Sequence, residues 1–299
     1  MSTAPASKGL IALLRLPYWL MTGGLSLLTA LAITKASLNI ETALLTFFSM
    51  AFITSAGFAL NDYYDRESDA VIKPKRPIPS GALSLRQVIA VSTVLFVVGL
   101  SLAVLVNLLS LMILIIDSVL LIFYSAFVKR KSGFAANLLV GLLTGTAFLF
   151  GEAVTLGSNA VSPLSLSLVS LSLYPIAFGT IGGNILRDVA SSEGDSKVGY
   201  PTLPQTMGNR NAVLLAAIFF ATTAVLAPLP YLLGLFSIYY VALIFVWSIL
   251  LIYASVRLLT SSPAIQNVKK YERLITMSMI LLPLALILEA LSTALGGLI

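Results

Sequence analysis

The chain contains no cysteine and no histidine. Without cysteine there is no disulfide, no thiolate chemistry and no sulfur-ligated metal. Without histidine the commonest general base, the commonest zinc ligand and every Ser-His triad are excluded. Charge is scarce as well: Asp, Glu, Lys and Arg make up 10% of the 299 residues. A soluble domain carries roughly a quarter. What remains is 58% hydrophobic, with a mean hydropathy of +1.00. These values describe an integral membrane protein. The apolar segments are long, so they read as helices rather than as the alternating strands of a barrel. Any catalysis is left to carboxylates, Lys, Arg, Tyr, amides and bound metal. The net charge of +6 does not point to nucleic acid, because the charges fall in short loops between apolar runs.

The predicted fold is all-α: one polytopic membrane domain over residues 1–299, with about nine spans in a bundle. The spans are centred in residues 17–34, 41–60, 87–105, 109–127, 135–156, 163–185, 211–229, 232–257 and 274–297. Asn107 alone separates the third span from the fourth. Pro228-Leu229-Pro230 breaks the seventh from the eighth. The segment Met1 to Lys8 reads as a lead-in to the first span, not as a signal peptide.

Basic residues cluster after alternate spans. Lys8 and Arg15 open the first. Arg66, Lys73, Lys75, Arg76 and Arg86 follow the second, and Lys129, Arg130 and Lys131 the fourth. Arg187, Lys197 and Arg210 follow the sixth; Arg257, Lys269, Lys270 and Arg273 the eighth. Lys35 alone falls on the other side. The asymmetry places the basic loops in the cytoplasm and, with an odd span number, the C-terminus outside.

Acidic residues concentrate in two of those loops. After span two comes Asn61-Asp62-Tyr63-Tyr64-Asp65-Arg66-Glu67-Ser68-Asp69. On a continuing helix, Asn61, Asp65 and Asp69 share one face at i, i+4, i+8. An all-oxygen stripe of this kind suits Mg²⁺, which completes its shell with water and substrate phosphate. Asp62 reads as exposed or as a loop cap, and Arg66 with Glu67 as a solvated pair. After span six, Asp188, Ser191 or Ser192, and Asp195 share a face if that helix extends so far, with Gly194 and Gly199 ending it. The clusters lie four spans apart, as in a tandem four-helix arrangement. Facing each other across a cavity open to the cytoplasm, they could hold two or three Mg²⁺ ions bridged by a diphosphate. Lys73, Lys75, Arg76, Lys129, Arg130 and Arg187 could bond the same group. Asp117 lies mid-span, seven residues before Tyr124 and on the same face. It reads either as a functional cavity residue or as a protonated partner in an interhelical hydrogen bond. Glu152 and Glu289 read as interfacial.

The Asn-Asp-x-x-Asp-x-x-x-Asp stretch resembles the UbiA superfamily of membrane prenyltransferases. So do Arg15-Leu16-Pro17, Lys73-Pro74-x-Arg76-Pro77-Ile78-Pro79-Ser80-Gly81, Tyr124-Ser125 before Lys129-Arg130, Asn137 with Gly141, and the loop from Lys197 to Leu203. Within it, four stretches are most similar to the archaeal digeranylgeranylglyceryl phosphate synthases: Lys75 to Ser80, Thr144-Gly145-x-x-Phe148-x-Phe150-Gly151, Glu193-Gly194-Asp195, and Pro228 to Leu232. The resemblance implies nine helices around a central cavity. It also implies Mg²⁺-dependent transfer of an isoprenyl chain, here geranylgeranyl, from its diphosphate to a lipid-phosphate acceptor in the bilayer.

On that reading Asp65, Asp69, Asp188 and Asp195 hold metal, and Asn61 adds an amide oxygen or orients a water. Relatives usually carry Asp where Ser191 stands, so Asp188 is the candidate replacement and Ser191 a hydroxyl or water-mediated contact. Lys73, Arg76, Lys129 and Arg130 neutralise the departing diphosphate. Tyr124, two or three turns from the basic pair, stabilises the allylic cation, and Asp117 helps position the acceptor. Arg15, Lys8, Lys75 and Arg187 are candidates for the acceptor's phosphate. Three other functions compete: prenylation of an aromatic acceptor such as 4-hydroxybenzoate, a CDP-alcohol phosphotransferase, and a cation-coupled transporter. The phosphotransferase lacks its Asp-Gly signature here. The transporter needs its charges at the bilayer midplane.

Overall fold

In hydrocarbon every backbone N–H and C=O must be satisfied within its own segment, so long apolar runs fold as helices. The computed structural model describes residues 6–156, 163–195, 201–262 and 265–296. The side chains of 163–166, 193–195 and 296 lie outside the description, as do Lys197 and Gly199. No strand occurs among the described residues, and nine helical stretches there are long and apolar enough to cross a membrane.

The first span is α1 (Ala6–Leu14) and α2 (Pro17–Thr34), separated by Arg15, at φ 51°, and Leu16. The second is α3 (Ile40–Tyr64), capped by Asn39, whose Oδ1 accepts the Thr42 N–H at 2.8 Å. A short α4 (Arg66–Ile72) follows with only Asp65 between. The third span, α5 (Leu85–Val106), opens on a capping box of Ser84 and Gln87. Asn107 both ends α5 and caps α6 (Leu108–Phe123), and its Nδ2 donates to the Ala153 carbonyl at 2.7 Å. A single residue can thus turn the chain because its side chain satisfies backbone groups on two helices. A π-helical turn, Tyr124–Val128, and α7 (Lys129–Lys131) complete the fourth span. The fifth is α8 (Gly133–Val154). The sixth comprises α9 (Pro163–Leu173), a 3₁₀ turn (Tyr174–Ala177) and α10 (Phe178–Asp195). Next come α11 (Leu203–Leu226) with α12 (Leu229–Leu232), and then α13 (Ile238–Thr260). The last span is α14 (Ile265–Ser278) and α15 (Leu281–Ala290), before α16 (Ser292–Gly296).

The sequence-based spans fall on these nine helices, with shifted ends. The seventh starts at Leu203 and is kinked at Gly208, whose φ of 81° a side chain would strain. The ninth starts at Ile265, so Lys269, Lys270, Glu272 and Arg273 ride on a helix rather than in a loop. The sixth carries through Gly194 to Asp195, so Gly194 does not end it.

The most extensive packing is between α3 and α5 and between α10 and α11. Each of these pairs straddles one acidic segment. Apolar side chains on α5 and α6, such as Val97, Leu105, Ile116 and Val119, face outward. Water is not their surrounding in a multi-pass membrane protein; lipid is. Charged groups gather at one end of the bundle. At the other, Glu289 is 0% exposed and accepts from Lys35 Nζ and, at 2.9 and 2.6 Å, from the Ser237 N–H and hydroxyl. Glu289 and the buried Glu152 are therefore interior groups at that end, not interfacial anchors.

Small residues let α2 and α8 approach closely, as in membrane bundles generally. A Cβ on Gly151 would collide with the Ser26 carbonyl oxygen, a backbone atom that cannot swing away. Gly151→Val should lower stability by about 1–3 kcal/mol, read as a drop in the thermal-unfolding midpoint of detergent-solubilised protein. Gly24→Val, where nothing lies within 4 Å, is the control and should leave that midpoint in place.

Candidate active site

A cavity of about 890 Å³ runs between the helices. Asp65, Asp69, Lys73, Arg76, Lys129 and Asp188 line its charged end, and Met50, Leu143 and Asp117 line it further in. Met50 stands eleven residues before Asn61 on α3, about 16 Å along the axis. The cavity thus joins a polar head to an apolar body.

The stripe Asn61, Asp65, Asp69 forms as its spacing requires. The helical ladder continues through the α3–α4 junction, with the Asp65 N–H on the Asn61 carbonyl at 2.9 Å and the Asp69 N–H on the Asp65 carbonyl at 2.8 Å. Both carboxylates are buried and paired. Asp65 Oδ2 accepts from Asn61 Nδ2 at 2.9 Å and from Lys129 Nζ. Asp69 Oδ2 accepts from Arg76 at 2.5 Å. Burial in a low dielectric makes an unpaired charge costly, so each carboxylate is matched by a cation reaching in from another segment.

Asp62 is neither exposed nor a loop cap. It is 3% exposed, and its Oδ1 accepts from Arg15 at 2.5 Å and from Arg76 at 2.9 Å. One carboxylate thereby fixes the start of α2 and the loop after α4. The partners lie 47 and 14 residues away, a separation that no helical period encodes. Arg66 and Glu67 do form an exposed pair, at 3.1 Å.

Lys129 and Tyr124 both line the cavity. Residues five apart do not share a face of an α-helix, but the π turn brings them together, the Lys129 N–H bonding to the Tyr124 carbonyl. They are one π turn apart rather than two or three. Arg130 points elsewhere: it donates to the Tyr64 carbonyl at 2.6 Å and caps the end of α3 instead of lining the cavity. Lys73, outside the spans, is held below the usual lysine range, first by desolvation and then by the neighbouring Arg76 charge.

Across the cavity, Asp188 on α10 accepts from Asn137 Nδ2 at 2.9 Å, and Ser191 lies on the same wall. Asp195 closes α10, and its side chain lies outside the described residues. Arg187 lines the cavity 3.9 Å from Glu272 of α14. Glu272 escaped the sequence reading because its helix begins earlier than hydropathy suggests. Asn137 carried a signal only through the resemblance. Deeper in, Asp117 Oδ1 accepts from the Thr146 hydroxyl at 2.6 Å. It is twelve residues before Lys129, about 18 Å along the axis.

The donor set fits Mg²⁺. With Nδ2 committed to Asp65, the buried Asn61 Oδ1 has no hydrogen-bond partner among the described residues, leaving an oxygen available to a cation. Asp65 and Asp69 stand on the same wall. Among the described residues no three acidic side chains come close enough to hold a metal by themselves. That suits an ion which relies on few carboxylates and completes its shell with phosphate and water.

The pattern of the UbiA prenyltransferase family matches residues 20–288. The digeranylgeranylglyceryl phosphate synthase of Natronomonas pharaonis is 36% identical over 238 residues, covering 79% of this chain and 83% of that protein. A solved structure of digeranylgeranylglyceryl phosphate synthase superposes with a TM-score of 0.79 at 28% identity, over 96% of this chain and 99% of that one. A UbiA homolog from Archaeoglobus fulgidus, bound to DMAPP and Mg²⁺, shares the fold, with a TM-score of 0.66 at 20% identity over 91% and 98%.

Mg²⁺ with inorganic pyrophosphate should stabilise the purified protein, by about 2.7 kcal/mol when ligand stands at a hundred times its Kd. Asp65→Asn or Asp69→Asn should remove that thermal shift, and Asp188→Ala should weaken it more than Ser191→Ala does. The reverse order for the last pair would assign the second cluster wrongly.

Proposed function

The chain belongs to the UbiA prenyltransferase family, and from that premise we propose that it transfers a geranylgeranyl group from its diphosphate to the hydroxyl of geranylgeranylglyceryl phosphate. The observation that carries this reading is a cavity whose carboxylates and cations crowd one end while its body is apolar. The relatives' names supply the acceptor and place the reaction in archaeal ether-lipid synthesis.

Asp65, Asp69, Asp188 and Asp195 would hold Mg²⁺, with Asn61 adding an amide oxygen or orienting a water ligand. Bound there, the metal neutralises charge on the leaving diphosphate. Lys73, Arg76 and Lys129 bond the same group from the side walls, and their interaction strengthens as charge builds on the leaving oxygen. The bond between the allylic carbon and the diphosphate oxygen breaks. A new carbon–oxygen bond forms to the acceptor hydroxyl, whose proton passes to the diphosphate. The Tyr124 ring, one π turn below Lys129, faces the positive charge that develops on the allyl group. Arg130 acts through α3, holding the segment that bears Asp65. Asp117, some 18 Å further in, lines the prenyl body of the cavity and is a positioning residue. The clustering of basic residues at alternate span ends supports an orientation with the charged end toward the cytoplasm and the C-terminus outside.

Purified protein offered geranylgeranyl diphosphate and Mg²⁺ should make an ether product from geranylgeranylglyceryl phosphate and lose activity in EDTA. Product from 4-hydroxybenzoate alone would keep the chemistry but overturn the acceptor. Tyr124→Leu should lower kcat by roughly thirtyfold, the rate equivalent of a desolvated cation–π contact of about 2 kcal/mol. Tyr124→Phe should retain most of it. Equal losses in the two variants would remove the ring from the mechanism.

A further inference from the structure

A second pocket, of about 380 Å³, lies beside the main cavity. The two share Arg15, Tyr18, Lys73 and Arg76 as a common wall. Asp62 and Lys75 line only the second. Its charged lining is therefore four cations against one carboxylate, and that carboxylate already accepts from two guanidinium groups. The main cavity offers Asp65, Asp69 and Asp188 to a metal; the second pocket has no carboxylate left to do so. Lys75 makes no salt bridge among the described residues.

The pocket is built, not a chance cluster on a loose loop. Backbone bonds fold the segment after α4 on itself: the Arg76 N–H on the Lys73 carbonyl at 2.9 Å, and the Leu83 N–H on the Pro77 carbonyl at 3.0 Å. Pro74, Pro77 and Pro79 restrict it further. Leu83 packs with Leu13, Ala59 and Val88, seating the loop on α1 and α3. Arg15 is held from behind as well, its guanidinium 4.4 Å from the centre of the Phe58 ring.

A reaction between an allylic diphosphate and the hydroxyl of a phosphomonoester seats two anions in one protein and keeps them apart from each other. Two pockets divided by a cationic wall meet that need. Resting on the acceptor proposed above, we infer that the second pocket binds the acceptor's phosphomonoester, with Lys75 and Arg15 as its charged contacts, while the main cavity holds the donor diphosphate. Of the four cations that the sequence leaves open for this role, Lys75 and Arg15 line the pocket, Arg187 faces the main cavity, and Lys8 lines neither. A charge-assisted contact to a phosphate oxygen is strong enough to set substrate preference.

The test uses full-length protein in detergent, geranylgeranyl diphosphate as donor, and two acceptors: geranylgeranylglyceryl phosphate and the unphosphorylated alcohol. Lys75→Gln should lower the ratio of kcat/KM for the phosphorylated over the unphosphorylated acceptor by about tenfold, with the donor KM unmoved. Lys75→Arg should restore the ratio. An unchanged ratio, or a rise in donor KM, overturns the assignment. So does a thermal stabilisation by phosphatidic acid in mixed micelles that depends on Lys75 while the ratio stays fixed; that result gives the pocket to bilayer headgroups. Wild-type protein that fails to turn over the phosphorylated acceptor overturns the proposed activity and this subsite with it. Wild-type turnover with an unchanged variant overturns the subsite alone.

Discussion

A buried charge in a protein this apolar persists only beside an opposite charge, and the charged end of the bundle is organised by that demand. Asp62 gathers Arg15 and Arg76, Asp69 also takes Arg76, and Asp65 takes Lys129. These pairs join α2, the α3–α4 junction, the proline-rich loop and the end of the fourth span. Losing Arg76 would leave Asp69 without its cation in a poorly solvated place, whereas Asp62, held by two guanidinium groups, would keep Arg15. The network therefore does two things at once: it closes the helix bundle and it sets cations around a group of carboxylates.

The same network explains how one site can accept metal and phosphate. Carboxylates that already lie against cations are pre-arranged for ligands of both signs. On the proposed function, magnesium would take the carboxylate oxygens and phosphate the ammonium and guanidinium groups, so charge would be exchanged between partners rather than newly desolvated. Below this end the lining turns apolar, with Met50, Leu121 and Leu143 around the cavity. A substrate with an anionic head and an isoprenoid body meets both environments in the order it needs them.

The opposite end shows what the constraint looks like without a site. Glu289 is fully enclosed, and Lys35, just after α2, and Ser237, just before α13, meet it. There the charges lie outside the large cavity, whose lining includes none of the three. The contrast between a closed knot and an open one, in the same chain, separates structural from functional use of ionisable groups.

Local periodicity made much of this readable from the chain. Long apolar runs gave the nine spans found among the described residues because hydrocarbon forces each segment to satisfy its own backbone. The i, i+4, i+8 stripe of Asn61, Asp65 and Asp69 formed because the helix ladder ran straight through it. Asp188 and Ser191 likewise share a cavity wall. What depended on distant partners was not readable. Asp62 owes its burial to Arg15 and Arg76, which no local pattern links to it. Tyr124 and Lys129 share a wall through a π turn, a register that α-helical spacing does not anticipate. Arg130 and Lys129 are neighbours in sequence, yet one caps a helix and the other lines the cavity. Helical phase is a property of the chain alone, whereas the choice of partner is made only when separate helices meet.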